Sequence, residues 1–207
     1  MSEQIEGRNA VLEAFRSGKC VDKLFVLDRC QDGPVRTIIR EARKKDTIIN
    51  FVQKERLDQL REIAAHQGVI AQVAAYEYST VEDILNKAKE KGEAPFIFLL
   101  DDIEDPHNLG AIIRTANLAG AHGVIIPKRH AVGLTSTVAK TSAGALNYTP
   151  VAKVSNLGQT IEERKKQEMW FVCADMGGEL MYNLNLTGPM GVVIGNEGEG
   201  VSRLVKE

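Results

Sequence analysis

Short apolar runs, separated by stretches with helical periodicity, dominate the second half of this sequence. Residues 95–100 are apolar throughout, which is typical of a strand that is covered on both faces of its sheet. Shorter or less uniform runs lie at 123–126, 150–154, 170–174 and 192–194. Strands that alternate with helices are joined by βαβ crossovers, and such crossovers build a mostly parallel sheet. The sequence therefore predicts an α/β unit in this half of the chain.

The first 75 residues show the same alternation in smaller form. They favour a small α-β-α-β-α-β sandwich of helices on a sheet. The predicted helices cover 5–15, 33–45 and 54–65, and the predicted strands cover 23–27, 47–52 and 69–74. Residues 76–93 are polar and charged around one helical pattern, which indicates a linker. We predict an N-terminal domain at 1–75, a linker at 76–93 and a second domain at 94–207.

Composition excludes some classes of protein. With 207 residues and 43% hydrophobic content, the chain can bury one large core or two modest ones. No apolar run approaches the roughly 20 residues of a membrane helix, and the acidic N-terminus lacks a signal core. The three cysteines have no metal-like spacing. We expect a cytoplasmic protein with reduced thiols, no bound metal and no membrane partner.

A glycine-rich stretch follows the apolar run 192–194. Gly195, Gly198 and Gly200 alternate with Asn196 and acidic residues, in the order G-x-x-G-x-G. Glycines allow positive φ and a close approach to a ligand, and ligands of open α/β sheets lie at the carboxyl ends of strands. The order differs from the dinucleotide fingerprint G-x-G-x-x-G. The alternative is a tight strand-to-helix turn that binds nothing.

A second polar cluster follows the apolar run 95–100. It spans 105–110 and includes Asn108, with Arg114 six residues further on. Asn108 is expected at or near the start of a helix and Arg114 nearly two turns into it. The structural alternatives are a helix-capping asparagine and a surface arginine. No phosphate-binding loop, metalloprotease motif or hydrolase elbow is present in the sequence.

Polar and basic residues of the N-terminal half are candidates for RNA contacts. Arg8 and Asn9 lie near a predicted helix start, and Arg40 and Lys44 belong to a basic cluster on the second predicted helix. Such side chains could bind phosphates. The alternatives are a helix cap for the first pair and a solvated helix face for the second.

These motifs together resemble one known family. The run Asn108-Leu-Gly-Ala-Ile-Ile-Arg-Thr-Ala116 is similar to the first motif of the SpoU (TrmH-like) RNA ribose 2′-O-methyltransferases, and Ile194-Gly-Asn-Glu-Gly-Glu-Gly200 to their second. Ser142-Ala-Gly-Ala-Leu fits the pattern between them. Gly7-Arg-Asn-Ala-Val-Leu-Glu-Ala14 resembles the substrate-binding domain of the 23S ribosomal RNA guanosine-2′-O-methyltransferases. The resemblance covers nearly the whole chain.

The resemblance implies the fold and the reaction. It implies an L30e-like N-terminal domain, a SPOUT-type parallel-sheet domain with a C-terminal trefoil knot, and a homodimer formed through that second domain. The implied reaction transfers a methyl group from S-adenosylmethionine to a ribose 2′-hydroxyl, most specifically that of a guanosine in 23S ribosomal RNA. The need for a 2′-hydroxyl makes RNA and not DNA the substrate.

The resemblance also implies roles for individual residues. Arg114 would anchor the target phosphate and polarise the hydroxyl, because a guanidinium keeps its proton at any working pH and is a poor base. Asn108 would orient the ribose or Arg114, and Glu197 would fix Arg114 or contact the nucleotide. The implied cofactor-binding residues are Ala174, Gly195, Asn196, Gly198 and Gly200. The implied RNA-binding residues are Arg8, Asn9, Arg40 and Lys44.

The third motif of the family, a Ser-Leu-Asn run followed by a final helix, does not occur before Glu207. The resemblance therefore implies a truncated C-terminus, an incomplete knot and a cofactor pocket that lacks one wall. Two alternatives remain open. The first is a non-catalytic RNA-binding protein with a degenerate methyltransferase core, and the second is a nucleotide-dependent oxidoreductase, which the motif order disfavours.

Overall fold

A computed structural model describes residues 3–30, 32–62 and 65–206. The chain forms two compact units. The first comprises Met1–Glu77 together with Gly133–Ser136, and the second comprises Tyr78–Val132 and Thr137–Glu207.

The first unit is built on a four-stranded sheet with the order β1-β4-β2-β3. β2 and β3 are parallel, whereas β4 runs antiparallel to both β1 and β2. The strands are β1 (Glu3–Glu6), β2 (Val21–Leu27), β3 (Ile48–Val52) and β4 (Val69–Val73). The helices are α1 (Arg8–Arg16), α2 (Gly33–Lys44) and α3 (Lys54–Leu60).

Two predicted helices of the first unit were too long. The helix predicted from residue 5 begins at Arg8, because Ile5 pairs with Ala71 in β1 and Gly7 adopts a φ of 88°. β1 was missed altogether. The helix predicted to residue 65 ends at Leu60, since Arg61 is already extended at ψ 131°. Residues 63 and 64 of that prediction lie outside the described part of the chain.

Helices cover both faces of the first sheet. α1 and α2 contribute Val11 and Ile38 to a core that includes Ala71 of β4. Ile70, the neighbour of Ala71, is also fully buried, and successive strand residues point to opposite faces. The third helix also packs against this sheet. Leu57 of α3 is buried, and α3 contacts β2 and β4.

The second unit contains a five-stranded sheet with the order β7-β6-β5-β9-β8, in which all neighbours are parallel. The prediction of a parallel α/β sheet is confirmed. Its strands are β5 (Phe96–Leu100), β6 (Gly123–Pro127), β7 (Val151–Val154), β8 (Trp170–Ala174) and β9 (Met190–Ile194). Its helices are α4 (Val81–Lys91), α5 (Pro106–Leu118), α6 (Ser136–Thr141), α7 (Leu157–Lys165) and α8 (Arg203–Lys206).

The core of the second unit includes a helix from the predicted linker. Ile84 of α4 is fully buried and belongs to the same cluster as Ile97, Ile125 and Val193 of the central strands. The domain limits 1–75, 76–93 and 94–207 nevertheless remain a prediction, and so does the trefoil knot. Within the described residues, no helix is long and apolar enough to cross a membrane.

The strand order changes direction beside β5. From β5 the chain moves outward through β6 and β7, whereas β8 and β9 lie on the other side. Leu100 and Ile194 are register partners at the carboxyl ends of β5 and β9. In open α/β sheets, ligands bind outside the carboxyl ends of strands at such a point. The loops after β5 and β9 are therefore the place to look for a site.

Candidate active site

The loops after β5 and β9 are joined from their first residues. Asp101, directly after β5, donates its backbone N–H to the carbonyl of Ile194 over 2.8 Å. Its side chain is 7% exposed, and Oδ2 accepts a hydrogen bond from the Ser202 N–H over 2.7 Å. Asp101 thus connects the end of β5 to both ends of the glycine loop, which we define as residues 195–200.

The glycine loop is closed on itself. Asn196 N donates to the Gly200 carbonyl over 3.0 Å, and Gly200 N donates back to Asn196 over 2.8 Å. The Asn196 side-chain oxygen accepts from Gly198 N at 2.8 Å, and its Nδ2 donates to the Asp102 carbonyl at 3.0 Å. A Cβ at Gly195 would overlap the backbone of Gly200. Asn196 therefore acts as the internal template of a loop whose geometry requires glycine.

Asp102 supports this loop in an unusual conformation. Its φ is 56°, in the left-handed region that favours glycine, asparagine and aspartate. Partial burial raises the pKa of the Asp102 carboxyl above its ordinary value, and the nearby charge of Asp101 raises it further by a smaller amount. The carbonyl of Asp102 accepts a hydrogen bond from the side chain of Asn196, so this residue with a left-handed backbone anchors the glycine loop.

Asp105, and not Asn108, caps α5. Asp105 Oδ1 accepts from the backbone N–H groups of His107 at 2.7 Å and Asn108 at 2.9 Å, and Pro106 occupies the first turn. The helix therefore begins at Pro106, which places Asn108 within its first turn. Since the cap is already provided, the side chain of Asn108 is available, and its Nδ2 donates to Glu197 Oε2 over 3.4 Å.

These groups surround an open cleft of about 480 Å³, which is within the usual range for small-molecule sites. Its lining residues come from the β5–α5 loop, the first turn of α5 and the glycine loop. They are Ile103, Glu104, Asp105, Asn108, Asn196, Glu197 and Gly198.

Arg114 lies apart from this cleft. It is exposed on α5, and six residues separate it from Asn108, which places the two side chains on different faces of the helix. Among the hydrogen bonds and ion pairs of the described residues, none joins Arg114 to Asn108 or Glu197. The structure thus brings together two of the three predicted catalytic residues.

The predicted cofactor-binding residues lie on two neighbouring strand ends. Ala174 ends β8 opposite Ile194 of β9, directly before the glycine loop. Asp175, which follows Ala174, forms an ion pair with Lys206. This partner, together with the Met176 N–H, lowers the pKa of the Asp175 carboxyl.

A glycine inside α5 explains how the Ser142 segment packs against the first motif. A Cβ at Gly110 would overlap the side chain of Thr141. Thr141 Oγ1 in turn donates to the Pro106 carbonyl over 3.2 Å, and Ser142 is fully buried. The glycine lets α6 approach the first turn of α5, so it positions the helix that carries Asn108.

The predicted RNA-binding residues of the first unit fall into two groups. Arg8 is tied to Asp32 by an ion pair of 2.6 Å and to the Gln67 carbonyl by a hydrogen bond of 2.9 Å. Asn9, beside it, is exposed. Arg40 and Lys44 line a separate cleft along α2.

Comparison with known families follows the same division of the chain. Residues 95–207 match the SpoU rRNA methylase family, and residues 4–79 match the family described as RNA 2′-O ribose methyltransferase substrate binding. The chain belongs to the SpoU family. The resemblance inferred from the motifs is confirmed.

Relatives of this SpoU chain match it over more than four fifths of their own length. A protein of Bacillus subtilis strain 168, YacO, named for the TrmH family of tRNA/rRNA methyltransferases, is 47% identical over 211 residues. The match covers 100% of this chain and 84% of YacO. A similarly named protein of Staphylococcus epidermidis is 43% identical, with coverage of 98% and 82%.

Solved methyltransferase structures share the fold. AviRb of Streptomyces viridochromogenes, a SpoU methyltransferase crystallised with S-adenosylmethionine, has a TM-score of 0.55 at 24% identity, covering 98% of this chain and 76% of AviRb. An rRNA methyltransferase of Sinorhizobium meliloti has a TM-score of 0.51 at 22% identity, covering 99% and 76%.

Sequence reasoning missed several residues that shape this SpoU site. Asp101 and Asp102 were visible as acids at the end of a buried strand, yet nothing local reveals that one holds Ser202 and the other holds Asn196. The helix start at Pro106 carried a usable signal, since Asp followed by Pro is a frequent helix beginning. Gly110 gave no signal, because its partner Thr141 is 31 residues away.

Proposed function

We propose that this chain transfers a methyl group from S-adenosylmethionine to the ribose 2′-hydroxyl of a guanosine in 23S ribosomal RNA, in the cytoplasm. The observation that carries the proposal is the contact between Asn108 and Glu197 at the β5–β9 switch point. This hydrogen bond of 3.4 Å joins the two SpoU motifs. Glu197 belongs to the glycine loop, in which a side chain at position 195 would overlap the backbone of Gly200.

The strand ends suit S-adenosylmethionine. Ala174 carries only a methyl group where β8 and β9 end side by side, so a ligand could reach the backbone groups at this strand end. The side chain of Asn196 accepts a hydrogen bond from Gly198 N within the loop, so the backbone amide and carbonyl groups of the loop are held in place before a ligand arrives. When bound, S-adenosylmethionine supplies an electrophilic methyl group. Ala174, Gly195, Asn196, Gly198 and Gly200 are the residues that would hold it.

The residues of the cleft have to orient a ribose hydroxyl in line with that methyl group and exclude water. Glu197 is exposed on the glycine loop and reaches the cleft, so its carboxylate can accept a hydrogen bond from the target nucleotide. Asn108 holds that carboxylate in place from α5. The hydrogen bond fixes the direction in which Glu197 presents its second oxygen.

Arg114 is assigned to the phosphate of the target nucleotide. Its guanidinium has no ion-pair partner among the described residues, and it extends from the same helix as Asn108. A guanidinium binds phosphate in a bidentate geometry but does not give up its proton near neutral pH. Arg114 therefore anchors the substrate and polarises the hydroxyl, and it does not act as a base.

The choice of ribosomal guanosine rests on the first unit. Residues 4–79 match a substrate-binding family of RNA 2′-O ribose methyltransferases, and the sequence of this unit resembles the 23S guanosine enzymes. The names of the relatives speak more broadly of tRNA and rRNA. Arg40 and Lys44 remain proposed RNA contacts, whereas Arg8, paired with Asp32, is better suited to positioning the exposed Asn9.

Homodimerisation through the second unit is part of the proposal. Large apolar side chains are exposed on β8 and in the segment after it, including Trp170 at 73%, Met176 at 96% and Tyr182 at 87%. Exposed apolar surface of this kind is typical of an interaction site.

Binding of S-adenosylmethionine, measured by calorimetry, tests the cofactor assignment. The comparison is between this chain and a form extended through the third SpoU motif. We expect binding by the extended form, and Gly195→Ala should abolish it. If the extended form fails to bind, the RNA-binding alternative without catalysis takes its place.

A further inference from the structure

A second cleft, distant in sequence from the SpoU motifs, lies in the first unit between α2 and the edge strand β3. Its volume is about 570 Å³. The lining residues combine basic and apolar side chains: Arg36, Ile39, Arg40, Arg43, Lys44 and Phe51. We call this surface the α2–β3 cleft.

All four charged residues that line the α2–β3 cleft are basic. Glu41 neutralises part of this charge, since its carboxylate is 3.0 Å from Lys44 and 3.6 Å from Arg40. No ion pair or side-chain hydrogen bond among the described residues involves Arg36 or Arg43. The chain as a whole has a formal net charge of −2, so this local excess of positive charge is a property of the cleft.

Phe51 is the unusual member of the cleft. It is 52% exposed on β3, which forms the outer edge of the four-stranded sheet. An aromatic ring on a solvated surface offers a flat face for stacking. Aromatic and arginine side chains also occur in protein–protein interfaces. The excess of positive charge in this cleft, with no acidic residue in its lining, suits a polyanion with flat bases better than an apolar protein partner.

We propose that the α2–β3 cleft binds an unpaired stretch of RNA. One base stacks on Phe51, and the flanking phosphates contact Arg36 and Arg43, with Arg40 and Lys44 extending the positive surface. Proteins that bind single strands combine a basic groove with aromatic platforms in this way. The bases of a duplex are already stacked and cannot use Phe51. The inference rests on the proposed function only in taking RNA as the substrate class.

The proposal assigns substrate contacts to residues that the family motifs do not include. Arg8 and Asn9 lie at the start of α1, and the Arg8 guanidinium is already occupied by Asp32 and Gln67. The α2–β3 cleft would therefore supply affinity for RNA, and it would leave the methyl-transfer chemistry to the second unit.

The test is RNA binding by fluorescence anisotropy, with a labelled unstructured oligouridine of about ten nucleotides. Phe51→Ala and Phe51→Leu should each weaken binding about tenfold, because leucine keeps the apolar surface but loses the stacking face. The double variant Arg36→Ala with Arg43→Ala should make the slope of log K against log salt less negative by about 1.4. Arg16→Ala, which removes an exposed charge from the last turn of α1, serves as the matched control and should stay within about twofold of the wild type.

Three results would overturn the inference: Phe51→Leu binding as tightly as the wild type, tighter binding of an RNA duplex than of the single strand, or displacement of RNA by polyglutamate with no dependence on Phe51. Thermal melting of each variant checks its folding.

Failure of this RNA-binding inference is separable from failure of the proposed function. The anisotropy assay measures RNA binding without any methyl transfer, so the absence of transfer by the wild type would contradict only the proposed function.

Discussion

The side-chain amide of Asn108 lies 3.4 Å from the carboxylate of Glu197, across a sequence separation of 89 residues. One residue stands in the first turn of α5 and the other at the tip of the glycine loop. Each is exposed, so the pair is accessible to a substrate. This contact joins the two SpoU motifs.

Loss of the Asn108–Glu197 contact should slow methyl transfer more than it weakens cofactor binding. We expect Asn108→Ala to lower kcat about 100-fold in the extended form, the usual cost of removing one positioned hydrogen-bond donor from a catalytic site. Glu197→Gln keeps the shape but removes the charge and should have a similar effect. Rates from single-turnover assays and affinities from calorimetry check this. Equal loss of cofactor affinity would instead indicate a structural role.

Arg114 should be required for catalysis although it lies outside the cleft. Arg114→Ala is expected to abolish transfer with S-adenosylmethionine affinity nearly intact, and Arg114→Lys to restore only a small part of the rate because lysine cannot bind phosphate in a bidentate manner. Retained turnover in Arg114→Ala would contradict the assignment. Arg129→Ala, a change of an exposed arginine after β6, is the control.

Two glycines of one loop should respond differently to the same change. Gly195→Ala places a Cβ against the backbone of Gly200, so we expect it to destabilise the fold by roughly 1–3 kcal/mol. At Gly198 the nearest neighbour of an added Cβ is Asn196 Oδ1, at 3.5 Å. Gly198→Ala should therefore change stability by less than about 0.5 kcal/mol. Urea unfolding of both variants measures the difference, and equal effects would refute the loop geometry.

Asp102 should make stability depend on pH in a defined direction. Its folded pKa is raised above the ordinary value of 3.8, first by burial and then by Asp101. The native state therefore holds this proton more tightly than the unfolded state, so the stability contribution is present below pH 3.8 and is lost as pH rises through the folded pKa.

Asp102→Asn is the matching substitution. Asparagine tolerates the left-handed backbone, and the hydrogen bond from Asn196 uses the Asp102 carbonyl, which the change preserves. The variant should be more stable than the wild type at pH 7, with a gain that disappears at acid pH. Urea midpoints across that range measure it, and a gain that is the same at every pH would contradict the assigned cause.

The central strands of the second unit could be predicted because they are buried on both faces. Residues 95–100 and 192–194 therefore appear as apolar runs without help from distant partners. β1 could not be predicted, since Glu3–Glu6 is short and charged, and its pairing with β4 depends on residues more than 60 positions away. Local patterns report burial, but they do not report which segment a strand edge meets.

The site was predictable to the level of its loops and less so in its contacts. Asn108 and the glycines were named from the motifs and Glu197 from the family resemblance, and the structure brings Asn108, Glu197 and Gly198 to one cleft. The roles of Asp101 and Gly110 depend on Ser202 and Thr141, which only the folded chain brings near. Phe51 carried no signal, because an aromatic residue in a strand normally indicates a core position.

The position of the transferred methyl group tests the central claim most directly. The extended form and this chain would be incubated with methyl-labelled S-adenosylmethionine and a 23S ribosomal RNA transcript, and the RNA then hydrolysed in alkali. A methylated 2′-oxygen cannot attack the neighbouring phosphate, so the account predicts label in alkali-resistant dinucleotides with guanosine at the 5′ position, and none with DNA of the same sequence. Label in the mononucleotides that alkali releases, or no transfer by the extended form, would contradict the account.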